Sequence, residues 1–125
     1  MIRTLIALAV SHAQPALEID AGRFLAAIAE VEGHKWEDPG GRYALTAATW
    51  RDRTRLPYRL ASDPAHARHV AGLHLAWLAR ELRASGYPVS AYTLAACWRL
   101  GFAGFCARRA VLDYAVRVEN ITRQP

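Results

Sequence analysis

The sequence predicts an all-α fold: a single domain of about five helices. Three observations carry that expectation. At 125 residues the chain is long enough for one domain with a modest core, and 53% hydrophobic residues exclude a disordered chain. Alanine is abundant and β-branched runs are few, which favours helix over strand. The apolar residues recur at helical spacing between short segments rich in Gly, Pro, Ser and Asp, with no repeats and no internal domain boundary.

The spacing predicts a first helix over about Ala16–Glu32, followed by the polar loop GHKWEDPGG. A second, shorter helix covers about Leu45–Arg53, and RLPYRLASDP connects it to a third. That third helix opens with Asp63 as N-cap and Pro64 at the first helical position, where the missing N–H is harmless. It runs to about Ala84 and is closed by Ser85-Gly86 and Pro88. A fourth helix is expected over about Ser90–Leu100, a break at GFAGF, and a fifth over about Arg108–Thr122.

The start of the chain reads as a processing segment. Arg3 precedes the short apolar run Leu5–Val10, and small residues at Ser11 and Ala13 place a cut before Gln14. Residues 1–13 are thus expected to be a signal peptide and 14–125 the folded domain, the other reading being a first helix packed on the core. Export would put the protein in the periplasm or outside the cell; without it the protein is cytoplasmic. No later segment is apolar and long enough to span a bilayer. Two cysteines, Cys97 and Cys106, are too few for a disulfide scaffold, and spacing leaves open whether they pair or stay as buried thiols. The formal net charge of +5 is carried almost wholly by arginine, Lys35 being the only lysine. Such a balance suits an anionic partner: nucleic acid, a membrane surface or the bacterial wall.

Glu32 is the residue that asks for a chemical explanation. At about 100° per residue, with Ile28 at zero, Phe24 lies near −40°, Leu25 near +60° and Val31 near −60°. Glu32 falls near +40°, inside that apolar stripe, whereas Glu30 falls near 200°, on the opposite face. Burial and the negative end of the helix dipole both disfavour an anion at Glu32, which suits a proton donor to a glycosidic oxygen. The structural alternative is a buried glutamate paired with one of the many arginines.

Other chemistries find less support. His66 and His74 share a face of the third helix but lie about 12 Å apart along its axis, too far for one metal ion, so no metal is expected. No serine or cysteine sits in a nucleophile elbow, and there is no glycine-rich phosphate loop. Among the aromatics, Trp50 and Trp77 are expected in the core, whereas Tyr43 and Trp98 are the better candidates for the wall of a cleft.

Four segments, in order, carry a family resemblance: AIAEVEG ending at Glu32-Gly33; Tyr43-Ala44-Leu45-Thr46 within GGRYALTAATW; Cys97-Trp98-Arg99-Leu100-Gly101; and Tyr114-Ala115-Val116-Arg117-Val118. Together, over about residues 20–121, they resemble the lysozyme-like superfamily of lytic transglycosylases and goose-type lysozymes, with this chain as a divergent member. The resemblance implies a lysozyme-like helical domain and peptidoglycan glycan strands as partner. It implies Glu32 as catalytic acid and base, and substrate contacts from Tyr43, Thr46, Trp98, Arg99 and Tyr114. A lytic transglycosylase needs one carboxylate and no cofactor. A hydrolase would want a second, for which the nearby Glu37 and Asp38 are solvated loop charges without a fixed distance. The chain departs from the pattern at Ala44, where the superfamily places a glutamine, and at Trp98-Arg99, which replace Tyr-Asn.

Those departures leave an inactive, wall-binding relative as an alternative function. A second is nucleic-acid binding, since Arg51, Arg53, Arg55 and Arg59 cluster and Arg108-Arg109 would open the last helix. Against it, the arginines are spread along the chain and do not align on one groove-reading helix, so no nucleic acid is expected.

Overall fold

The computed structural model describes residues 19–107 and 112–124. Five α-helices follow one another: α1 (Ala21–Glu32), α2 (Ala47–Arg53), α3 (Pro64–Ala84), α4 (Ala91–Ala107) and α5 (Asp113–Arg123). Two short 3₁₀ segments, Gly41–Tyr43 and Tyr58–Ser62, fill the connections, and no strand occurs among the described residues. The all-α class is therefore as the sequence predicts. The segment proposed as a signal peptide lies outside the described residues, as do Arg108 and Arg109.

Local chemistry sets most of the boundaries. Helix α1 begins later than the apolar pattern suggests, because the Asp20 side chain accepts from the Arg23 N–H and caps the helix there. It ends at Glu32 because Gly33 takes a left-handed conformation (φ 71°) and returns its N–H to the Ala29 carbonyl. Helix α2 starts two residues after the predicted Leu45, with the Thr46 hydroxyl accepting from the Thr49 N–H. Helix α3 has the predicted cap and length: Asp63 accepts from the His66 N–H and Pro64 is the first helical residue. Ser90 and Thr93 cap α4 reciprocally, each side-chain oxygen accepting the other's N–H.

Two expectations are corrected at the C-terminal end. The predicted break at GFAGF narrows to Gly101, whose φ of 78° and ψ of 159° kink α4, and the helix resumes to Ala107. The last helix begins at Asp113 rather than Arg108, because Leu112 is still extended (φ −110°, ψ 117°). The Leu112 N–H is taken by the Tyr92 hydroxyl of α4.

The long helix α3 is the axis of the core, presenting Val70, Leu78 and Leu82, all fully buried. Phe24 and Ile28 of α1, Leu94 of α4 and Val118 of α5 complete it from the other sides. Helix α5 packs on α1 and α4 at once, which brings its first turn to Glu32 and its last residues to Arg23 at the start of α1. Trp50 is fully buried and its indole N–H donates to the Leu56 carbonyl at 2.7 Å. Trp77 is partly buried against the same core. No described helix is long and apolar enough to cross a membrane.

Candidate active site

Glu32 is the last residue of α1, and its side chain is 8% exposed. Glu30, on the opposite face, is exposed to solvent. The Tyr114 hydroxyl, from the first turn of α5, donates to Glu32 Oε2 at 2.8 Å. Burial first, and then the Glu32 charge, push the Tyr114 phenol far above its ordinary value, so it keeps its proton and acts as donor. On the other side of the carboxylate, Arg99 Nη1 stands 4.0 Å and His34 Nε2 3.9 Å from Oε1. The Arg99 guanidinium also lies 5.4 Å from the centre of the Tyr114 ring. Four pieces of chain thus meet at one carboxylate: the end of α1, the loop after it, the last turn of α4 before its kink, and the start of α5.

The two oxygens of Glu32 are not equivalent. Oε2 is fixed by the phenol. Oε1 has the Arg99 guanidinium and the His34 imidazole near 4 Å, beyond hydrogen-bonding reach, and accepts no bond from a described residue. A carboxyl oriented through one oxygen and open at the other can exchange a proton with a reacting group without losing its position. Beside it, His34 Nδ1 is buried with no hydrogen-bond partner.

Of the residues singled out from sequence, Glu32, Arg99 and Tyr114 come together; Tyr43, Thr46 and Trp98 sit elsewhere. The Trp98 indole N–H donates to the Tyr43 carbonyl at 3.0 Å. Its ring stands edge-on to Phe24 (6.0 Å) and His74 (5.0 Å), so it ties α4 to the 3₁₀ turn and to the core. Tyr43 is 5% exposed and packs edge-on against Trp36 at 5.8 Å. The Thr46 hydroxyl is used at the start of α2, accepting from the Thr49 N–H and donating to the Thr49 hydroxyl, both at 3.1 Å. Ala44 is the one described non-glycine residue with positive φ (55°).

Tyr43 does line an opening, but a separate one. A solvent-connected cavity of about 270 Å³ lies along α1, walled by Trp36, Tyr43, Arg42 and Arg68. Glu32 is not among its lining residues.

The carboxylates considered as a second catalytic group are differently employed. Asp38 folds back on its own loop, its Oδ2 accepting from the Lys35 N–H at 2.8 Å, while Glu37 is exposed. The two histidines of α3 weighed as metal ligands are also accounted for: His66 Nδ1 bonds its cap residue Asp63 at 2.6 Å. His74 Nδ1 accepts from Arg53 Nε at 3.2 Å. No group of three metal-ligating side chains occurs among the described residues.

Sequence reasoning missed His34, Arg42 and Arg68. His34 and Arg42 had a local signal, each standing beside a residue already singled out. Arg68 had none, because its place follows from the packing of α3 across α1. No family model matches the chain, and neither does any curated protein or solved structure.

Proposed function

We propose that the protein cleaves the glycan strands of peptidoglycan as a muramidase-type enzyme similar to lytic transglycosylases, with Glu32 as its single acid and base. The observation that carries this reading is the Tyr114–Glu32 pair. A mostly buried carboxyl at a helix end is held through one oxygen by a phenol 82 residues away in sequence, while its other oxygen stays unbonded. The order of segments that resembles the lytic transglycosylases supports the same assignment.

In the first step protonated Glu32 Oε1 gives its proton to the glycosidic oxygen as the bond from the muramyl C1 to that oxygen breaks. Positive charge develops on the sugar ring, and the carboxylate left behind lies close enough to stabilise it. The same carboxylate then takes the proton of the muramyl 6-hydroxyl as that oxygen bonds to C1. The products are a 1,6-anhydro sugar and a free hydroxyl on the leaving strand, and the acid is regenerated. Tyr114 acts as a positioning residue, since its bond to Oε2 orients the carboxyl and leaves Oε1 free. No second carboxylate is needed, in keeping with the local role of Asp38.

A second reading, an inactive wall-binding relative, is favoured by Arg99. Its guanidinium stands 4.0 Å from Oε1, the oxygen that the acid role needs open to a substrate. Incubation of purified sacculi with the protein, followed by mass spectrometry of the soluble products, separates the two. The proposal expects anhydro-muropeptides from the wild type, none from Glu32→Gln, and unchanged release from Glu30→Gln. Release retained in Glu32→Gln would overturn it, and sedimentation with sacculi without release from the wild type would establish the inactive relative. Nucleic-acid binding is the weaker alternative, since Arg53 and Arg23 are engaged within the fold, by His74 and by the Gln124 carbonyl.

A further inference from the structure

The second half of α4 runs back along the first, and ring contacts fix the two directions. The first arm starts beyond the end of α3 and carries Trp98 back to His74, at 5.0 Å. After Gly101, Phe102 stands 6.5 Å from Trp77, and Phe105 stands 5.0 Å from Tyr87. Tyr87 lies just past the end of α3, its N–H bonded to the Leu82 carbonyl. The first arm thus approaches along α3 toward its middle, and the second leaves toward its C-terminal end. Gly101, with a left-handed φ of 78°, makes the turn. Gly104 shows how tight it is. A Cβ there would stand 3.2 Å from the Leu100 Cβ, where an uninterrupted helix keeps such a pair about 5–6 Å apart.

A helical hairpin bent at Gly101 sets side by side the residues equally far from the bend. The two cysteines of the chain meet that condition. Cys97 comes four residues before Gly101 and Cys106 five after it, about 6 Å and 7.5 Å along their arms. Both are free thiols. Cys97 is fully buried, whereas Cys106 is partly exposed. Burial first, and then the Cys106 charge, push the Cys97 thiol up to about 12. A charge felt from one arm to the other is what adjacent arms produce.

We infer that Cys97 and Cys106 are the two halves of an intrachain disulfide that staples the arms of α4 across the Gly101 kink, formed by exchange with a low-molecular-weight disulfide. Cys106 is the point of entry because it is the thiol that solvent reaches. Its thiolate attacks one sulfur of the external disulfide, forms a mixed disulfide and releases one external thiolate. Cys97 then gives up its proton and attacks the Cys106 sulfur. The bond to the external sulfur breaks, and the second external thiolate leaves. The two external thiolates take up the two protons that the cysteines lost, and two electrons pass from the protein to the external pair. The bridge ties the arm that carries Arg99 to the arm that leads toward α5 and Tyr114. Its formation is independent of the role of Glu32.

Incubation of the full chain with oxidised glutathione, followed by trypsin digestion without reductant, tests this. Trypsin cuts after Arg99, between the two cysteines, so their peptides stay joined only through a bridge. Mass spectrometry of the monomer isolated without reductant should find them joined. The bridged protein should melt at least about 5 °C above the reduced one, because the bridge removes freedom from the unfolded chain. Cys97→Ser should stop at the glutathione adduct on Cys106, and Cys106→Ser should leave the buried Cys97 unmodified under the same conditions. A wild type that stops at the Cys106 adduct, that links only between chains, or that melts no higher once bridged would overturn the inference.

Discussion

Acid should destabilise this protein through one histidine, His74. The ring is 8% exposed, on the inward face of α3, stacked on Trp77 (12° between planes) and edge-on to Trp98. Its Nδ1 accepts from Arg53 Nε at 3.2 Å, and the Arg53 guanidinium lies 4.0 Å over the Trp77 ring. Protonation would set an N–H against a guanidinium N–H and place a second cation in a buried site. Burial first, and the Arg53 charge second, accordingly lower the His74 pKa from 6.5 to about 4.

The sign and size follow by linkage. Between pH 6.5 and about 4 the unfolded chain binds a proton at this ring and the native chain does not, so stability falls as pH falls. The stabilisation is fully present above the unfolded value. At about 1.4 kcal/mol per pH unit the whole shift amounts to about 3 kcal/mol, of which about 2 kcal/mol is lost between pH 7 and pH 5. Urea unfolding of wild type and His74→Gln at both pH values measures it, with glutamine retaining an acceptor for Arg53. The wild type should lose about 2 kcal/mol more than the variant over that interval. The carboxylates titrate alike in both proteins and cancel in the comparison. Equal losses in the two proteins would refute the reasoning, as would a His74 ring proton titrating by NMR near 6.5.

Two further outcomes follow from single contacts. Tyr114→Phe removes the donor to a mostly buried carboxylate and should lower stability by about 1.5–3 kcal/mol. In a double-mutant cycle with Glu32→Gln, strictly additive losses would show that the bond contributes nothing. Gly41→Ala should destabilise by at least about 2 kcal/mol, since left-handed strain adds to a Cβ driven into the Ala61 carbonyl. Gly33→Ala, also left-handed but with no atom within 4 Å of the added carbon, should cost only about 1 kcal/mol. Thermal or denaturant melts that rank the two glycines the other way would contradict the docking role of Gly41.

The sequence by itself determined the helices and the placement of Glu32. Helix formation depends on neighbours three and four residues apart, and those are written in the chain: Asp63-Pro64 opens α3 and Ser85-Gly86 closes it. The phase that puts Glu32 among Phe24, Leu25 and Ile28 is equally local, and its side chain is indeed mostly buried. Boundaries were less legible where a single side chain decided them. Asp20 caps α1 later than the apolar period suggests, and the Tyr92 hydroxyl of α4 takes the Leu112 N–H where α5 had been expected to be under way already.

Which residues face one another was decided only by the tertiary structure. Glu32 and Tyr114 meet because α5 packs back onto α1 and α4, a pairing that no periodicity within either helix specifies. Trp98 and Tyr43 had looked like two walls of one cleft, yet the indole N–H is spent on the Tyr43 carbonyl and the ring turns inward. A buried indole N–H needs an acceptor, and which acceptor it finds depends on a chain segment 55 residues away. Arg42 and Arg68 likewise share a cavity only because the double glycine lets the 3₁₀ turn dock beside α1, opposite α3. Local sequence sets which face of a helix is apolar; long-range packing sets what that face, and the polar groups at its edge, will meet.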